Sequence, residues 1–333
     1  MFKLVRTNLW ARLAVAVAAT APALAAPAAA RAQLVVSESF DYGATGGALN
    51  GKGSGVGFSA AWTAPGSFAY TPDGLTFGTL QTTGGAVSYT SPPGFITTSA
   101  YRPFTNPLGA TTYGSYLLRI DSRSGTVNNT GLLLASSAGQ SDANAPLAVS
   151  LPVNVTNAPG RVLLQFLDTN GGAALLSGAQ QQLAVGTTYL ALFKYVAGAS
   201  NASSSVWVLT SDQYDNLVSG GLTEAELNGA SIGSGASNVW ARASVSANVT
   251  PTARSFLSLF GFVGSGSGQS LNQTFDEIRL SNTSLSAVAP QAAVSVPEPG
   301  SLTLGLLVAG CAAGGAAWHR RGTRRRLGPG RTS

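Results

Sequence analysis

Apolar and polar residues alternate in short runs along most of the chain, and turn-forming residues separate the runs. A period of two places successive side chains on opposite faces of a strand, one of which can pack on a core. Many short strands with turns between them are typical of an antiparallel β-sandwich. The runs that predict strands are Leu34–Phe40, Leu75–Phe77, Ala86–Tyr89, Tyr113–Ile120, Gly131–Ala135, Leu147–Val155, Val162–Leu167, Thr188–Tyr195, Ser205–Leu209, Trp240–Val245, Phe256–Val263 and Thr274–Leu280.

Two local signals refine this all-β prediction. The runs Val162–Leu167 and Ala173–Leu176 flank an Asn170-Gly171 pair, which supplies the positive φ that a tight hairpin turn needs. Thr223-Glu-Ala-Glu226 has the N-cap and the N3 acid of a capping box, so a single short helix is predicted in a loop. The predicted sandwich covers residues 33–286, and residues 287–295 are predicted to be a linker.

The C-terminal end has a different pattern. The block Val296-Pro297-Glu298-Pro299 cannot continue a helix or a central strand. The apolar run 302–318 that follows would span roughly 25 Å as a helix, the short end of what crosses a hydrocarbon core of about 30 Å. Because basic flanks stay on the cytoplasmic side, a transmembrane helix here would leave the body on the far side of the membrane. The basic flank comprises Arg320, Arg321, Arg324, Arg325 and Arg326.

The N-terminal end predicts export as well. Basic residues in the first 12 positions precede the apolar stretch Leu13–Ala26, and Ala30-Arg31-Ala32 supplies the small residues that a signal peptidase requires. Residues 1–32 are therefore predicted to be a signal peptide, with cleavage between Ala32 and Gln33. The alternative, an N-terminal membrane anchor, is disfavoured by two prolines and by the short apolar region.

The order of a Val-Pro-Glu-Pro block, an apolar helix and an arginine cluster resembles the PEP-CTERM sorting signal of Gram-negative bacteria. The resemblance covers residues 296–326 and implies that a membrane-embedded exosortase recognises Pro297-Glu298-Pro299 and cuts nearby. It implies a protein that is transiently in the inner membrane and then at the cell surface or in the extracellular matrix. A permanent C-terminal anchor is the alternative.

Charge has to be counted again without the two ends. The formal net charge is +6, but residues 33–290 contain 9 basic and 12 acidic residues, a net charge of −3. The high pI therefore comes from the predicted targeting segments. No basic surface for nucleic acid is predicted in the body.

The body also resembles a family through motifs at its two ends. Glu38-Ser-Phe40-Asp-Tyr42, Leu49-Asn-Gly51 and Gly57-Phe58 lead to Trp62 near the start, and Phe275-Asp-Glu-Ile-Arg279 leads to Leu280-Ser-Asn282 near the end. These motifs are similar to those of concanavalin A-like or laminin-G-like jelly rolls in exported proteins. The resemblance implies that the first and last strands lie side by side.

The body lacks the residues that most enzyme mechanisms need. The only cysteine, Cys311, and the only histidine, His319, lie in the C-terminal tail, which excludes thiol nucleophiles, imidazole bases and His/Cys zinc sites from the body. The Glu-x-Asp-x-x-Glu pattern of jelly-roll glycoside hydrolases does not occur. Asp276 and Glu277 are adjacent and would point to opposite faces of a regular strand, so a structural role with Arg279 or a loop amide is predicted.

Binding chemistry stays open. Trp62 and Trp240 flank loops and are candidates for a carbohydrate platform, whereas Trp207 lies inside a strand and is predicted to be core. No cofactor is predicted; for Ca²⁺, the pairs Asp168/Asn170 and Asp212/Asp215 offer oxygen ligands without forming a defined calcium loop. The sequence favours an exported, non-enzymatic surface or matrix protein with a structural or polysaccharide-associating body. The alternative is a polysaccharide hydrolase or lyase.

Overall fold

The computed structural model describes residues 34–92, 96–125, 127–139, 147–155, 163–167, 173–177, 183–247, 253–264 and 268–290. All of them belong to the first of two compact units, 1–291 and 292–333, into which the chain divides. The predicted signal peptide and cleavage site, the transmembrane helix 302–318 and the sorting signal 296–326 lie outside the described residues. Within those residues, no helix has both the length and the apolar character needed to cross a membrane.

The described part of the chain is mostly antiparallel β-structure, with three short helices. The helices are α1 (Ser211–Val218), α2 (Glu224–Gly229) and α3 (Leu285–Val288). The strands are β1 (Leu34–Glu38), β2 (Gly47–Ala48), β3 (Phe68–Thr71), β4 (Ala86–Thr90), β5 (Ile96–Pro103), β6 (Thr111–Ser124), β7 (Val127–Ala135), β8 (Leu147–Val155), β9 (Leu163–Leu167), β10 (Ala173–Ser177), β11 (Thr188–Ala197), β12 (Ala202–Leu209), β13 (Ala241–Ala247), β14 (Phe256–Val263) and β15 (Ser270–Ser281).

The strands form two sheets. The larger sheet has the order β13-β12-β11-β6-β15-β4-β3-β2, and β1 pairs with β15 as its ninth strand. The smaller sheet has the order β10-β9-β8-β7-β14-β5. All named strand pairs are antiparallel. The first and last strands therefore lie side by side, as the resemblance implied, with Val36 opposite Leu280 and Glu38 opposite Ile278.

A core between the two sheets makes the fold a sandwich. The larger sheet contributes residues such as Tyr116 and Phe193, and the smaller sheet contributes residues such as Leu132 and Leu259, all fully buried. These positions alternate along their strands with residues on the outer faces, as the pleat requires. The prediction of an antiparallel β-sandwich is confirmed, and so is the hairpin of β9 and β10, in which Leu167 pairs with Ala173.

A second cluster covers part of the outer face of the larger sheet. Trp207, on β12, is fully buried there, as predicted, together with Tyr214 of α1, Leu227 of α2 and Val288 of α3. The capping box predicted at Thr223 starts α2, because Glu226 N–H donates to Thr223 Oγ1 at 3.2 Å.

Two predictions about this region were wrong. The expected single helix is one of three, because α1 has its own capping box at Thr210 and Gln213. The linker predicted from residue 287 begins later, because Val288 and Ala289 are 0% and 1% exposed and pack in the outer cluster. Ser115 Oγ also donates to Val288 O. The folded body thus extends to Pro290.

Candidate functional site

A cleft of about 390 Å³ opens beside β1, where the two ends of the body meet. We call it the terminal-strand cleft. It is formed by the outer edge of β1, the loop before Phe58, the loop after β5 and the residue that follows β15. Its lining residues are Leu34, Val35, Val36, Val56, Gly57, Thr105, Asn106, Pro107, Leu108 and Asn282.

The first wall of the cleft is a loop that runs alongside β1. Ser37 N–H donates to Val56 O at 3.1 Å, and Val56 N–H donates to Ser37 O at 2.9 Å. Gly57 has a φ of +86°, and a Cβ added there would overlap Val35 O. Only glycine therefore lets the loop lie this close to the strand.

A buried ion pair holds this wall from inside. Arg102 of β5 and Glu38 of β1 form an ion pair whose side chains are 6% and 0% exposed, so the pair links the two sheets. Arg102 Nη1 donates to Ser54 O at 2.6 Å, and Ser54 Oγ donates to Glu38 Oε1 at 3.3 Å. The loop that carries Val56 is thus fixed two residues upstream.

Further donors complete the Glu38 site. Phe40 N–H and Tyr42 Oη donate to the carboxylate, each at 2.9 Å, and Trp62 Nε1 donates to Tyr42 Oη at 2.9 Å. Burial raises the pKa of Glu38, while the positive charge of Arg102 and these hydrogen bonds lower it.

The second wall is the loop after β5, and a buried arginine holds it. Arg254, which is 3% exposed, donates through Nη2 to the carbonyl oxygens of Leu108, at 3.2 Å, and Gly109. Its guanidinium lies 4.2 Å from the centre of the Tyr195 ring, a cation–π contact. Thr105 N–H donates to Gly57 O at 2.9 Å and ties the two walls together. The cleft is therefore pre-formed.

The lining combines neutral polar groups with apolar ones. Asn106 and Asn282 are exposed, and each carboxamide has both donors and an acceptor. Val56 is 60% exposed, although most large apolar side chains of the described residues are buried. None of the described lining residues is charged. Such a cleft can form hydrogen bonds with hydroxyl groups and apolar contacts with C–H surface.

The two adjacent carboxyl groups of β15 lie elsewhere and are buried. Asp276 accepts hydrogen bonds from Leu75 N–H at 2.7 Å and Glu277 N–H at 2.6 Å, and Glu277 pairs with Arg279 at 2.6 Å. The predicted structural role with Arg279 and a loop amide is confirmed. The strand is not regular, however, because Glu277 has a φ of +49° and the register with β6 shifts there.

These carboxyl groups titrate unusually. Burial raises the pKa of Asp276 to about 8, with the negative charge of Glu277 adding to the rise. Burial also raises the pKa of Glu277, against the positive charge of Arg279. The side chains of Asp276 and Glu277 belong to residues that are 0% and 3% exposed, so they lie beneath the surface and do not line the terminal-strand cleft.

The two tryptophans predicted as platform candidates lie in different environments. Trp62 is 1% exposed and packs between Phe40 and Phe58, so its prediction as a surface platform was wrong. Its indole N–H donates to Tyr42 Oη within the buried Glu38 site, so the ring lies inside the body. Trp240 is partly buried against Tyr189, with ring centres 5.5 Å apart, and stays a prediction.

The described residues contain no group of three or more His, Cys, Asp or Glu side chains that could hold a metal ion. Of the calcium candidates, Asp168 and Asn170 lie outside these residues. Asp215 lies in α1 and accepts hydrogen bonds from Thr79 N–H and Oγ1, both at 2.7 Å, which is ordinary loop anchoring.

The sequence signals pointed to part of this site. Of the motif residues, Gly57 and Asn282 line the cleft, and Glu38 holds the loop of the first wall through Ser54. They are near one another because β1 pairs with β15 and with the loop that carries Gly57. Sequence reasoning missed Arg102 and Asn106, since a lone arginine and an Asn-Pro turn carry no signal of a partner distant in the sequence.

No protein-family model and no curated protein matches this sequence. Among solved structures, the chain is similar to a β-glucanase of Bacillus licheniformis, at 9% identity and a TM-score of 0.39, over 72% of this chain and 98% of that one. It is also similar to lectin II from Ulex europaeus, at 10% identity and a TM-score of 0.34, over 65% and 92% of the two chains.

A third similar structure is a botulinum neurotoxin type C chain, whose cell entry depends on interaction with two ganglioside molecules. Identity is 6%, the TM-score is 0.39, and the match covers 66% of this chain and 44% of the neurotoxin chain. The chain thus spans less than half the length of that protein.

Proposed function

We propose that this is an exported surface or matrix protein whose body binds neutral carbohydrate in the terminal-strand cleft without chemically changing it. The observation that carries the proposal is the lining of that cleft. Exposed Val56 and the carboxamides of Asn106 and Asn282 line a pre-formed and uncharged space of about 390 Å³. A sugar ring offers the matching surface, because its hydroxyls pair with carboxamides and its C–H groups pack on apolar side chains.

The proposal extends to the fold and to the route of export. The adjacency of β1 and β15 supports a concanavalin A-like jelly roll. Sorting by the PEP-CTERM route is supported by the block 296–299, the apolar run 302–318 and the arginine cluster after it. In that case signal peptidase and an exosortase are partners during export. Mass spectrometry of the mature C-terminus tests this route: cleavage close to Pro297 supports it, and an intact Arg331-Thr-Ser333 end contradicts it.

A glycan array tests the binding function. The whole chain should bind neutral glycans, with or without Ca²⁺, and N282A should bind them about threefold to tenfold more weakly, the loss expected for one neutral hydrogen bond of about 0.5–1.5 kcal/mol. The matched control is N216A, which alters an exposed asparagine on α1. Equal binding by both variants, or binding of no glycan by the unchanged chain, including the exopolysaccharide of the producing cells, contradicts the proposal.

A further inference from the structure

A second cleft is lined by residues that do not line the terminal-strand cleft. It has a volume of about 520 Å³ and lies where the loop before β3, the end of β4 and the start of β5 meet. We call it the hydroxyl cleft, because four of its lining residues carry hydroxyl groups and two are prolines. These residues are Ser67, Thr90, Ser91, Thr98, Pro65 and Pro92.

The backbone around the hydroxyl cleft is fixed. Thr90 N–H donates to Ser67 O at 3.0 Å, and Ser91 N–H donates to Leu271 O at 2.9 Å. Ser91 Oγ accepts a hydrogen bond from Leu271 N–H at 2.9 Å. Like the terminal-strand cleft, this space does not depend on a ligand to keep its shape, so little ordering would oppose binding.

The hydroxyl groups of this cleft differ in what a ligand can reach. Ser67 Oγ is buried without a partner, so no group inside the cleft can contact it. Thr98, which is 9% exposed, lies beside Tyr89 and lowers the pKa of that phenol against the larger rise from burial. Thr90 is exposed, so its hydroxyl can donate to and accept from a ligand that carries hydroxyl groups.

The uncharged lining of the two clefts favours one class of ligand. None of the described residues lining either cleft is acidic or basic. An anionic polymer, such as one rich in uronic acids or sulfate, would leave its charges unpaired when desolvated. A neutral polysaccharide carries no such cost.

The two clefts lie near opposite ends of the same strand, β5. Thr98, near the start of β5, lines the hydroxyl cleft, and Thr105, just after its end, lines the terminal-strand cleft. Seven residues of extended chain span about 23 Å. We propose that the hydroxyl cleft is a second site for the same neutral polysaccharide, so that one body holds the polymer at two points. This inference rests on the proposed function of the terminal-strand cleft.

Two sites on one body predict a gain for long ligands. Once one cleft is occupied, the second binding event is intramolecular, and linked sites of this kind raise apparent affinity by about 10²–10⁴. The intact exopolysaccharide of the producing cells should therefore bind the whole chain at least about 100-fold more tightly than its trisaccharide fragments do, because a trisaccharide is too short to reach both clefts. Calorimetry should find two trisaccharides per chain.

Blocking the hydroxyl cleft should remove this gain. Gly66 lies in its wall, and a Cβ added there meets nothing within 4 Å, so the side chain of G66Y begins in open space beside the cleft. We expect the ring to obstruct the cleft, which leaves one trisaccharide per chain and removes the extra affinity for the polymer. The matched control is G229Y, at an exposed glycine of α2 where an added Cβ also meets nothing within 4 Å; it should keep both sites.

A milder variant protects the test against misfolding. T90A removes an exposed hydroxyl of the cleft, so its thermal stability should not fall, while trisaccharide binding at one of the two sites weakens. One trisaccharide per chain, bound more weakly by N282A and equally well by G66Y and T90A, overturns the inference and leaves the proposed function standing. If the unchanged chain binds neither the exopolysaccharide nor any array glycan, the proposed function fails as well.

Discussion

Two buried acidic sites, one on the first strand and one on the last, have their negative charge compensated in different ways. At Glu38 one carboxylate faces one guanidinium, that of Arg102. On β15 two carboxyl groups, Asp276 and Glu277, share the single guanidinium of Arg279. The first site balances its charges, and the second has one negative charge too many.

A proton on Asp276 removes the excess negative charge of the second site. Because the pKa of Asp276 is raised to about 8, this carboxyl group is mostly neutral at pH 7. A buried charge without a partner is more costly than protonation of the group that would carry it. The comparison therefore teaches that the Glu38 site depends on its arginine, whereas the Asp276 site depends on its proton.

Removing the arginine of the balanced site should have the largest effect. R102L leaves Glu38 buried without its counter-ion, and breaking a buried pair in this way costs about 3–5 kcal/mol of the free energy of unfolding. The control is R119L, because Arg119 and Asp121 form a pair whose side chains are 38% and 32% exposed. Its loss should be at most about 1 kcal/mol. Urea denaturation measures both, and similar losses would contradict the idea that the Glu38 site depends on its arginine.

Much of the fold was predictable from alternation, and the exceptions have local causes. The strand β5 was missed because hydroxyl residues and an arginine occupy most of Ile96–Pro103, so its sequence lacks a clear apolar face. Leu75–Phe77 was predicted as a strand but forms none; its leucine N–H donates instead to Asp276. A short apolar run gives the same signal whether its side chains pack from a strand or from a loop.

The candidate site was less predictable than the fold. The end motifs suggested that residues near Glu38 and Asn282 would meet, because adjacent first and last strands bring them together. Val56 and Asn106 lie on loops whose positions depend on buried partners, Arg102 and Arg254. Alternation reports which face is buried, but it does not report which distant side chain satisfies a buried charge.

The proton of the second site should show in the pH dependence of stability. The folded chain holds a proton on Asp276 more tightly than the unfolded chain does between the ordinary pKa of 3.8 and the raised value of about 8. This contribution is fully present below pH 4 and is lost as the pH rises through about 8. The decrease should be on the order of a few kcal/mol.

The variant D276N should reduce that dependence. An asparagine cannot ionise, and its carbonyl oxygen can still accept the hydrogen bond from Leu75 N–H. Urea denaturation at several pH values should therefore give a flatter profile for D276N than for the unchanged chain. Burial also raises the pKa of Glu277 and of Glu38, so a smaller slope of the same sign should remain. Identical slopes would mean that Asp276 is charged in the folded protein.

The variant with the smallest expected effect tests whether the balanced site, that of Glu38 and Arg102, includes Tyr42. Tyr42 Oη donates to Glu38 and accepts from Trp62 Nε1, so Y42F should lower the free energy of unfolding by about 1 kcal/mol. Y214F removes a similar buried hydrogen bond, from Tyr214 Oη to Ala289 O at 2.9 Å, in the outer cluster, away from the Glu38 site. Its cost should be similar.

Double variants test whether each tyrosine is energetically coupled to Arg102. Because Tyr42 and Arg102 share the Glu38 carboxylate, the costs of Y42F and R102L should deviate from additivity by more than about 0.5 kcal/mol. Y214F combined with R102L should be additive within about 0.5 kcal/mol, because the two residues share no partner among the described residues. Additivity in both pairs would confine the balanced site to its ion pair. Coupling limited to Tyr42 would make the tyrosine, the tryptophan and the arginine one network around a single carboxylate.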